Sequence, residues 1–161
     1  MLYELIYTSL ATKQLTTEDL KGLMSSSRRS NRKRGITGLL YYSNREIIQL
    51  LEGKKNEVLN LYDRISKDRR HMLVKIFWQG SIEGPAFSSW SMGYIDSRTT
   101  DLSKTKGLIP LSEKGLFETL GTSQRTVGKN LMLTLRDSFL KLGESKSEQS
   151  EAQTSTSKSW A

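Results

Sequence analysis

The chain has 161 residues, the length of one domain with a short additional segment, and its net charge of +8 is spread along the sequence, as in many soluble proteins. It contains no cysteine and a single histidine, His71, which excludes disulfides and thiolate metal sites, so we expect no metal site. No run of about 18 apolar residues occurs, and the apolar start of the chain is short and carries Glu4, so the sequence predicts neither a membrane span nor a secretory signal. We therefore expect a cytoplasmic protein.

The hydrophobic pattern predicts strands and helices that alternate along the chain. The first strand begins at Leu2, and the first helix begins at Thr16, where a hydroxyl cap precedes two acidic residues. Ser43–Arg45 forms a short turn between the second and third strands, which gives a hairpin. The predicted strands are residues 2–8, 36–42, 46–52, 72–79 and 90–95, and the second predicted helix is residues 56–69.

This order, β-α-β-β-α-β with a fifth strand, predicts a ferredoxin-like α+β fold. The third strand is apolar on both faces, so we expect the two helices to cover one face and a C-terminal segment to cover the other. We predict a helix there with Thr122 or Ser123 as its cap, and a shorter one over residues 111–120. The apolar stripe of the helix capped by Thr122 or Ser123 is Val127, Leu131, Leu135, Phe139 and Leu142. The predicted units are a domain over residues 1–97, a helical output segment over 98–142 and a disordered polar tail over 143–161.

Two polar side chains interrupt the apolar face of the predicted central strands. Gln49 is a primary amide on the third strand, and Tyr7 lies on the first strand, which neighbours the third in this fold. Each can be an ordinary core residue whose polar group finds a partner, or the two together can bind a polar ligand above the sheet. Trp90 and Met92 on the last strand fit core or edge packing.

Further candidate residues lie at the ends of the two helices. Asn31 fits a capping or turn position, and Arg64 and Asp68 are spaced as a helical salt pair. Arg70 and His71 follow at the end of the second helix, where positive charge suits the helix dipole and also suits phosphate groups. These residues alone leave the structural and the ligand-binding interpretations open.

Taken together, these residues resemble the BLUF domain family of blue-light sensors, which bind flavin adenine dinucleotide (FAD). The likeness extends from Leu2 to Tyr94 in uninterrupted order. The residues that carry it are Tyr7, Asn31, Gly35–Gly38, Gln49 with Leu51–Gly53, Asp68–His71 and Phe87–Met92.

The resemblance implies roles for the photoactive residues. Tyr7 matches the tyrosine that gives an electron and a proton to the excited flavin, and Gln49 matches the glutamine that links this tyrosine to the flavin N5/O4 edge. Trp90 and Met92 match the pair on the last strand whose placement responds to light. The implied product is a red-shifted signalling state that decays in the dark.

The resemblance also implies a binding role for five residues. Asn31 matches the asparagine that bonds the pyrimidine edge of the flavin, and Arg64 and Asp68 match positions near its ribityl-phosphate part. Arg70 and His71 are further contacts. The implied protein is a photoreceptor, not an enzyme, that signals through its C-terminal helices to a partner protein or to its own oligomer.

Two alternatives are compared with this interpretation. An acyl-phosphate hydrolase shares the strand and helix order but needs an arginine in the loop after the first strand, and residues 9–12 supply none. A nucleic-acid-binding module would use the basic cluster over residues 28–34, but its sheet lacks paired aromatic stacking positions on an open face.

Overall fold

The computed structural model describes residues 1–88, 91–96, 126–132 and 134. The elements are strands and helices in the predicted order, followed by helical residues 127–132. Their bounds are β1 Leu2–Ala11, α1 Thr17–Arg34, β2 Thr37–Ser43, β3 Glu46–Lys54, α2 Lys55–Ser66, β4 His71–Ile82 and β5 Gly93–Asp96.

The strands form one sheet of five, in the order β4-β1-β3-β2-β5. β1 lies between β4 and β3 and is antiparallel to both, whereas β5 runs parallel to β2 at the opposite edge. This is the ferredoxin-like arrangement with an added strand, so the predicted fold class is confirmed. The register places Tyr7 of β1 directly opposite Gln49 of β3.

Local chemistry fixes where α1 and the hairpin begin and end. The Thr16 hydroxyl accepts a hydrogen bond from the Asp19 amide at 3.1 Å, and the Asp19 carboxylate accepts one from the Thr16 amide at 3.0 Å, which is a capping box. Gly35 ends the helix at φ 62°, a left-handed conformation that glycine adopts without strain. Asn44 and Arg45 have φ 48° and 73°, as a two-residue hairpin turn requires.

Buried apolar residues lie on both faces of the sheet, as the pattern of β3 predicts. The face under α1 and α2 carries Tyr3, Leu5, Tyr7, Leu40, Tyr42, Ile47 and Leu51, packed against Leu20, Met24, Val58 and Leu61. The second face carries Ile6, Leu39, Tyr41, Ile48 and Leu50, covered by Ala86, Phe87 and Met132. A C-terminal segment therefore contributes to the cover of the second face, as predicted, but Ala86 and Phe87, which follow β4, cover it as well and were not predicted to do so.

The covering helix differs from the prediction in two respects. Thr126, rather than Thr122 or Ser123, is its cap, because the Thr126 hydroxyl accepts a hydrogen bond from the Lys129 amide at 3.0 Å. Val127, predicted to face the core, is 52 % exposed, and Met132 is buried instead.

The reason for the second difference is Gly128, whose amide lies against a buried carboxylate of the sheet and thereby sets which side of the helix faces inward. Leu135, Phe139 and Leu142, the shorter helix predicted over residues 111–120 and the tail predicted over 143–161 lie outside the described residues. The predicted output segment over 98–142 is described only at residues 126–132 and 134.

The second helix is shorter than predicted. α2 ends at Ser66 instead of residue 69, because the Asp68 carboxylate accepts a hydrogen bond from the Arg70 amide at 2.9 Å and turns the chain out of the helix. His71 consequently begins β4 rather than ending a helix. β1 and β4 are both longer than their predicted spans, and β5 begins at Gly93.

Candidate functional site

A cavity of about 470 Å³ lies between α1, α2 and the sheet face that they cover. This volume is within the ordinary range for a small-molecule site. Seven of the nine predicted site residues line the cavity, namely Tyr7, Asn31, Gln49, Arg64, Asp68, Arg70 and His71. Met92 does not line it but contacts the wall residue Gln49. Trp90 lies outside the described residues.

The inner wall carries a short chain of buried hydrogen bonds. The Tyr7 hydroxyl donates to Gln49 Oε1, and Gln49 Nε2 donates to Met92 Sδ at 3.4 Å. All three side chains are almost fully buried, so the amide exchanges its hydration for these two partners. Both polar residues that interrupted the apolar pattern therefore belong to one connected group at the cavity.

Two rings surround the Tyr7 phenol. The ring of Tyr62 lies 5.7 Å from it and the ring of His71 lies 6.4 Å from it, centroid to centroid. Burial raises the pKa of Tyr7 well above its ordinary value, and the nearby Tyr62 and Asp68 raise it further. Tyr7 therefore stays a neutral hydrogen-bond donor at physiological pH.

The C-terminal half of α1 holds the segment that leads into β5. Asn31 Nδ2 donates to the Ser91 carbonyl at 2.9 Å, and Arg28 Nε donates to the Met92 carbonyl at 2.9 Å. Sequence reasoning treated Arg28 only as part of the basic cluster over residues 28–34. The available signal was its spacing of three residues from Asn31, which places both side chains on one side of the helix.

Positive and negative groups line the outer part of the cavity. Asp68 pairs with Arg70, whose Nε lies 3.0 Å from either carboxylate oxygen, and this hydrogen bonding lowers the pKa of Asp68 and raises that of Arg70. Asp68 thus pairs with Arg70 and lies beyond α2, so the helical salt pair with Arg64, one of the two interpretations that the spacing left open, is not the one found. Arg64 and Lys13, the latter missed by sequence reasoning, also line the wall.

His71 lines the cavity and has one ring nitrogen without a hydrogen-bond partner among the described residues. Its Nε2 lies 2.9 Å from the Ile65 carbonyl, and its Nδ1 is buried with no hydrogen-bond partner in the part of the chain that the structure describes. A buried polar atom without a partner is costly unless a ligand or water satisfies it. His71 is thus suited to contact a bound molecule.

The cavity combines an inner wall of apolar and amide groups with cations at its outer part. Such a wall fits a ligand with a flat ring system, hydrogen-bonding edges and an anionic end. Among the residues that the structure describes, no cluster of three or more His, Cys, Asp or Glu could hold a metal ion.

The chain matches, over residues 2–93, the family described as "BLUF: Sensors of blue-light using FAD". Because the match covers more than half of its length, the chain belongs to this family of flavin-dependent blue-light sensors. The matched residues form the sensor domain that defines this family.

Curated relatives and solved structures agree with this membership. The chain is 36 % identical over 89 residues to "Photoactivated adenylate cyclase subunit beta" of Euglena gracilis, covering 55 % of this chain and 10 % of the relative. It is 32 % identical over 71 residues to "Blue light- and temperature-regulated antirepressor BluF" of Escherichia coli (strain K12), covering 44 % of this chain and 18 % of the relative. The chain thus spans a tenth to a fifth of the length of these relatives.

Structures of similar overall fold include two short proteins. "BlrB - a BLUF protein, dark state structure" has a TM-score of 0.59 at 28 % identity, covering 74 % of this chain and 94 % of that one. "BlsA photo-activated state" has a TM-score of 0.58 at 28 % identity, covering 78 % of this chain and 99 % of that one.

The cavity fits the flavin that the family uses. The buried Nδ1 of His71 has no partner among the described residues, and Gln49 and Asn31 carry the amide groups that the polar edge of a flavin ring needs. Arg64 and Lys13 add positive charge to the wall, and positive charge suits an anionic group such as a phosphate. Within the described residues, no helix has the length and apolar character needed to cross a membrane.

Proposed function

We propose that this chain is a blue-light photoreceptor that binds FAD and switches through Tyr7, Gln49 and Met92. The observation that carries the proposal is the buried hydrogen-bonded series from Tyr7 through Gln49 to Met92 at the inner wall of the cavity. A core can be filled with apolar side chains at a lower desolvation cost than with a buried phenol and a buried amide. The presence of this polar series therefore supports a functional role over a purely structural one.

The chemistry of the three side chains supports a switching role. A bound flavin supplies light absorption and one-electron chemistry, and the chain supplies orientation and proton positions. Tyr7 holds its proton because burial raises its pKa, so the phenol can give up an electron and a proton together. The Gln49 amide carries both a donor and an acceptor, so its rotation or tautomerisation reverses the hydrogen bonds at a fixed partner.

Met92 lowers the free-energy cost of rearranging the Gln49 amide. A thioether sulfur is a weak acceptor, and the Gln49 Nε2 to Met92 Sδ distance is 3.4 Å. Loss of this bond costs less than loss of a bond to an oxygen would. The Gln49 amide is therefore held on one side by a strong partner, Tyr7, and on the other by a partner that is easily released.

We assign the remaining wall residues to binding. Asn31 holds the pyrimidine edge of the ring; although its Nδ2 donates to Ser91, its Oδ1 can still accept a hydrogen bond. Arg64, the Asp68–Arg70 pair and His71 contact the ribityl-phosphate part. FAD is proposed over FMN because the family is described by its use of FAD, although one similar structure, of Klebsiella pneumoniae BlrP1, is described with FMN.

The output is proposed to pass from Met92 and Trp90 through β5 to the C-terminal helices, and from there to a partner protein or to a second copy of the chain. Relatives described as a cyclase subunit and an antirepressor support signalling to an effector. A cytoplasmic location stays a prediction from the sequence.

The basic cluster over residues 28–34 does not favour the nucleic-acid alternative. Arg28 is half-buried and donates to Met92, and Arg34 lies 3.8 Å from the Glu57 carboxylate. The cluster is thus not one exposed basic patch, and nucleic-acid recognition draws on such a patch.

The test is an absorption spectrum of the purified chain in the dark and after blue light, with chromatography of the flavin released on denaturation. We expect a flavin band that shifts to longer wavelength and relaxes in the dark, and released FAD. Tyr7→Phe should bind flavin without the shift, whereas Tyr62→Phe, a change to the neighbouring half-buried phenol, should keep it. A chain that binds no added flavin would refute the proposal.

A further inference from the structure

Arg28 is a half-buried cation in the second half of α1, beside the cavity but not among the residues that line it. Burial lowers the pKa of Arg28, which reflects the cost of removing a guanidinium from water. A surface position would avoid that cost, as the neighbouring Arg29 does, because Arg29 is exposed. The contact that Arg28 makes with the segment before β5 therefore needs an explanation.

The contact of Arg28 is with Met92, which immediately precedes the residues of β5 that pair with β2. The parallel pairing of β5 with β2 begins at Gly93, which lies beside Leu39. Immediately before it, the carbonyls of Ser91 and Met92 accept hydrogen bonds from α1, one from Asn31 and one from Arg28, each at 2.9 Å. Two donors one helical turn apart thus hold two successive peptide groups of the incoming strand.

Met92, whose backbone Arg28 holds, is also the residue whose side chain contacts Gln49. The Met92 side chain is 1 % exposed, and its sulfur accepts the hydrogen bond from Gln49 Nε2. A hydrogen bond to sulfur is weak and is lost when the donor and the sulfur move apart. The position of the Met92 backbone therefore decides whether the bond from Gln49 Nε2 to Met92 Sδ forms. Arg28 is the charged member of the pair that fixes that backbone.

We infer that Arg28 is a positioning residue that holds Met92 against the Gln49 amide and thereby sets the lifetime of the switched state. The inference rests on the proposed function for the light response, but the placement of Met92 does not require flavin. Without Arg28, Met92 moves away from Gln49, the resting arrangement of the amide is weakened, and the return to it after illumination slows.

The first experiment uses the flavin-free chain and methyl-labelled methionines. The Met92 signal is assigned by its absence in Met92→Ala. We expect Arg28→Ala to move this signal in a ¹H–¹³C spectrum and the matched exposed variant Arg29→Ala to leave it in place. Arg28→Met, which keeps an unbranched side chain but has no N–H donor for the Met92 carbonyl, is the second variant and should also move it. An unmoved Met92 signal in the folded Arg28 variants would overturn the inference, whatever the response to light.

The second experiment measures dark recovery of the flavin-loaded chain. We expect Arg28→Ala to keep the red shift and to recover about two- to tenfold more slowly, the range that the net contribution of one hydrogen bond corresponds to. In a Met92→Ala background, Arg28→Ala should cause no further slowing, because it acts through Met92. Recovery equal to that of Arg29→Ala, or an undiminished effect in the Met92→Ala background, would overturn the inference. Failure of the unmodified chain to shift would instead refute the proposed function.

Discussion

The contact between the C-terminal helix and the sheet predicts that replacing a helical glycine, Gly128, by alanine destabilises the fold, although alanine usually stabilises a helix. Gly128 lies in the helical residues 127–132, and its amide donates to Glu4 Oε1 at 2.9 Å. A Cβ atom added there would lie 2.5 Å from Glu4 Oε2 and 3.0 Å from Leu50 Cδ1. Glu4 cannot easily move aside, because it is 1 % exposed and its Oε1 also accepts a hydrogen bond from the Trp78 indole at 3.0 Å.

The opposing contributions to the effect of Gly128→Ala can be compared. Alanine gains at most about 1 kcal/mol of helix propensity over glycine. Displacing the helix end loses a hydrogen bond to a charged group, about 1.5–3 kcal/mol, and the alternative of accepting the close contact costs about 1–3 kcal/mol in overpacking. We therefore expect Gly128→Ala to lower the free energy of unfolding by about 1–2 kcal/mol.

A matched control is Gly22→Ala, in the interior of α1. A Cβ atom at Gly22 would meet nothing within 4 Å, so this substitution should raise the free energy of unfolding by about 0.5–1 kcal/mol. Urea unfolding of both variants measures the difference, and hydrogen exchange of residues 127–132 shows whether the loss is local. A Gly128→Ala chain that is stabilised as Gly22→Ala is would refute the close contact with Glu4.

Three further predictions concern stability and binding. Burial raises the pKa of the Glu52 carboxyl, so over a range of pH the folded chain keeps this proton when the unfolded chain has lost it. As pH rises from the ordinary glutamate pKa through the raised pKa, the free energy of unfolding should therefore fall relative to that of Glu52→Gln. Parallel curves of unfolding free energy against pH for the two chains would contradict this. Met132→Ala should cost about 2–5 kcal/mol and Val127→Ala less than about 0.5 in urea unfolding, since only Met132 is buried. Arg70→Gln should weaken flavin retention on dialysis by removing a guanidinium from the cavity wall, and equal retention would count against its role.

How far the sequence could predict the molecule depended on the range of the interaction. Strand alternation and the Thr16 capping signal are local, and both were confirmed. The end of α2 was not, because the turn made by Asp68 and Arg70 competes with helix continuation, and periodicity cannot rank the two. Gly128 carried no signal for its role, since the partner that decides it lies on β1.

The site shows the same division. Tyr7 and Gln49 were detectable because a polar group on an apolar face is visible in the pattern, and the strand order then placed them side by side. The role of Arg28 was missed, because its spacing from Asn31 is a weak signal and one arginine among five basic residues looks like a solvated surface. Only the path of the chain before β5 distinguishes it, and that path is a tertiary feature.

The register of β1 against β3 links the two faces of the sheet. Tyr7 lies opposite Gln49 on the cavity face, and Glu4 lies opposite Glu52 on the second face. Glu52 accepts hydrogen bonds from the Ala86 and Phe87 amides at 2.8 and 3.0 Å, while Glu4 accepts one from the C-terminal helix.

A slip of β1 by one residue would turn Tyr7 and Glu4 to the opposite faces from Gln49 and Glu52, and would leave buried carboxylates and a buried amide without partners. Each such loss costs about 1–3 kcal/mol, more for the charged groups, so the polar pairs specify the register more sharply than the apolar residues, which are present on both faces. The same two central strands thus fix the geometry of the cavity and the seat of the C-terminal helix, and a change in one register cannot occur without a change in the other.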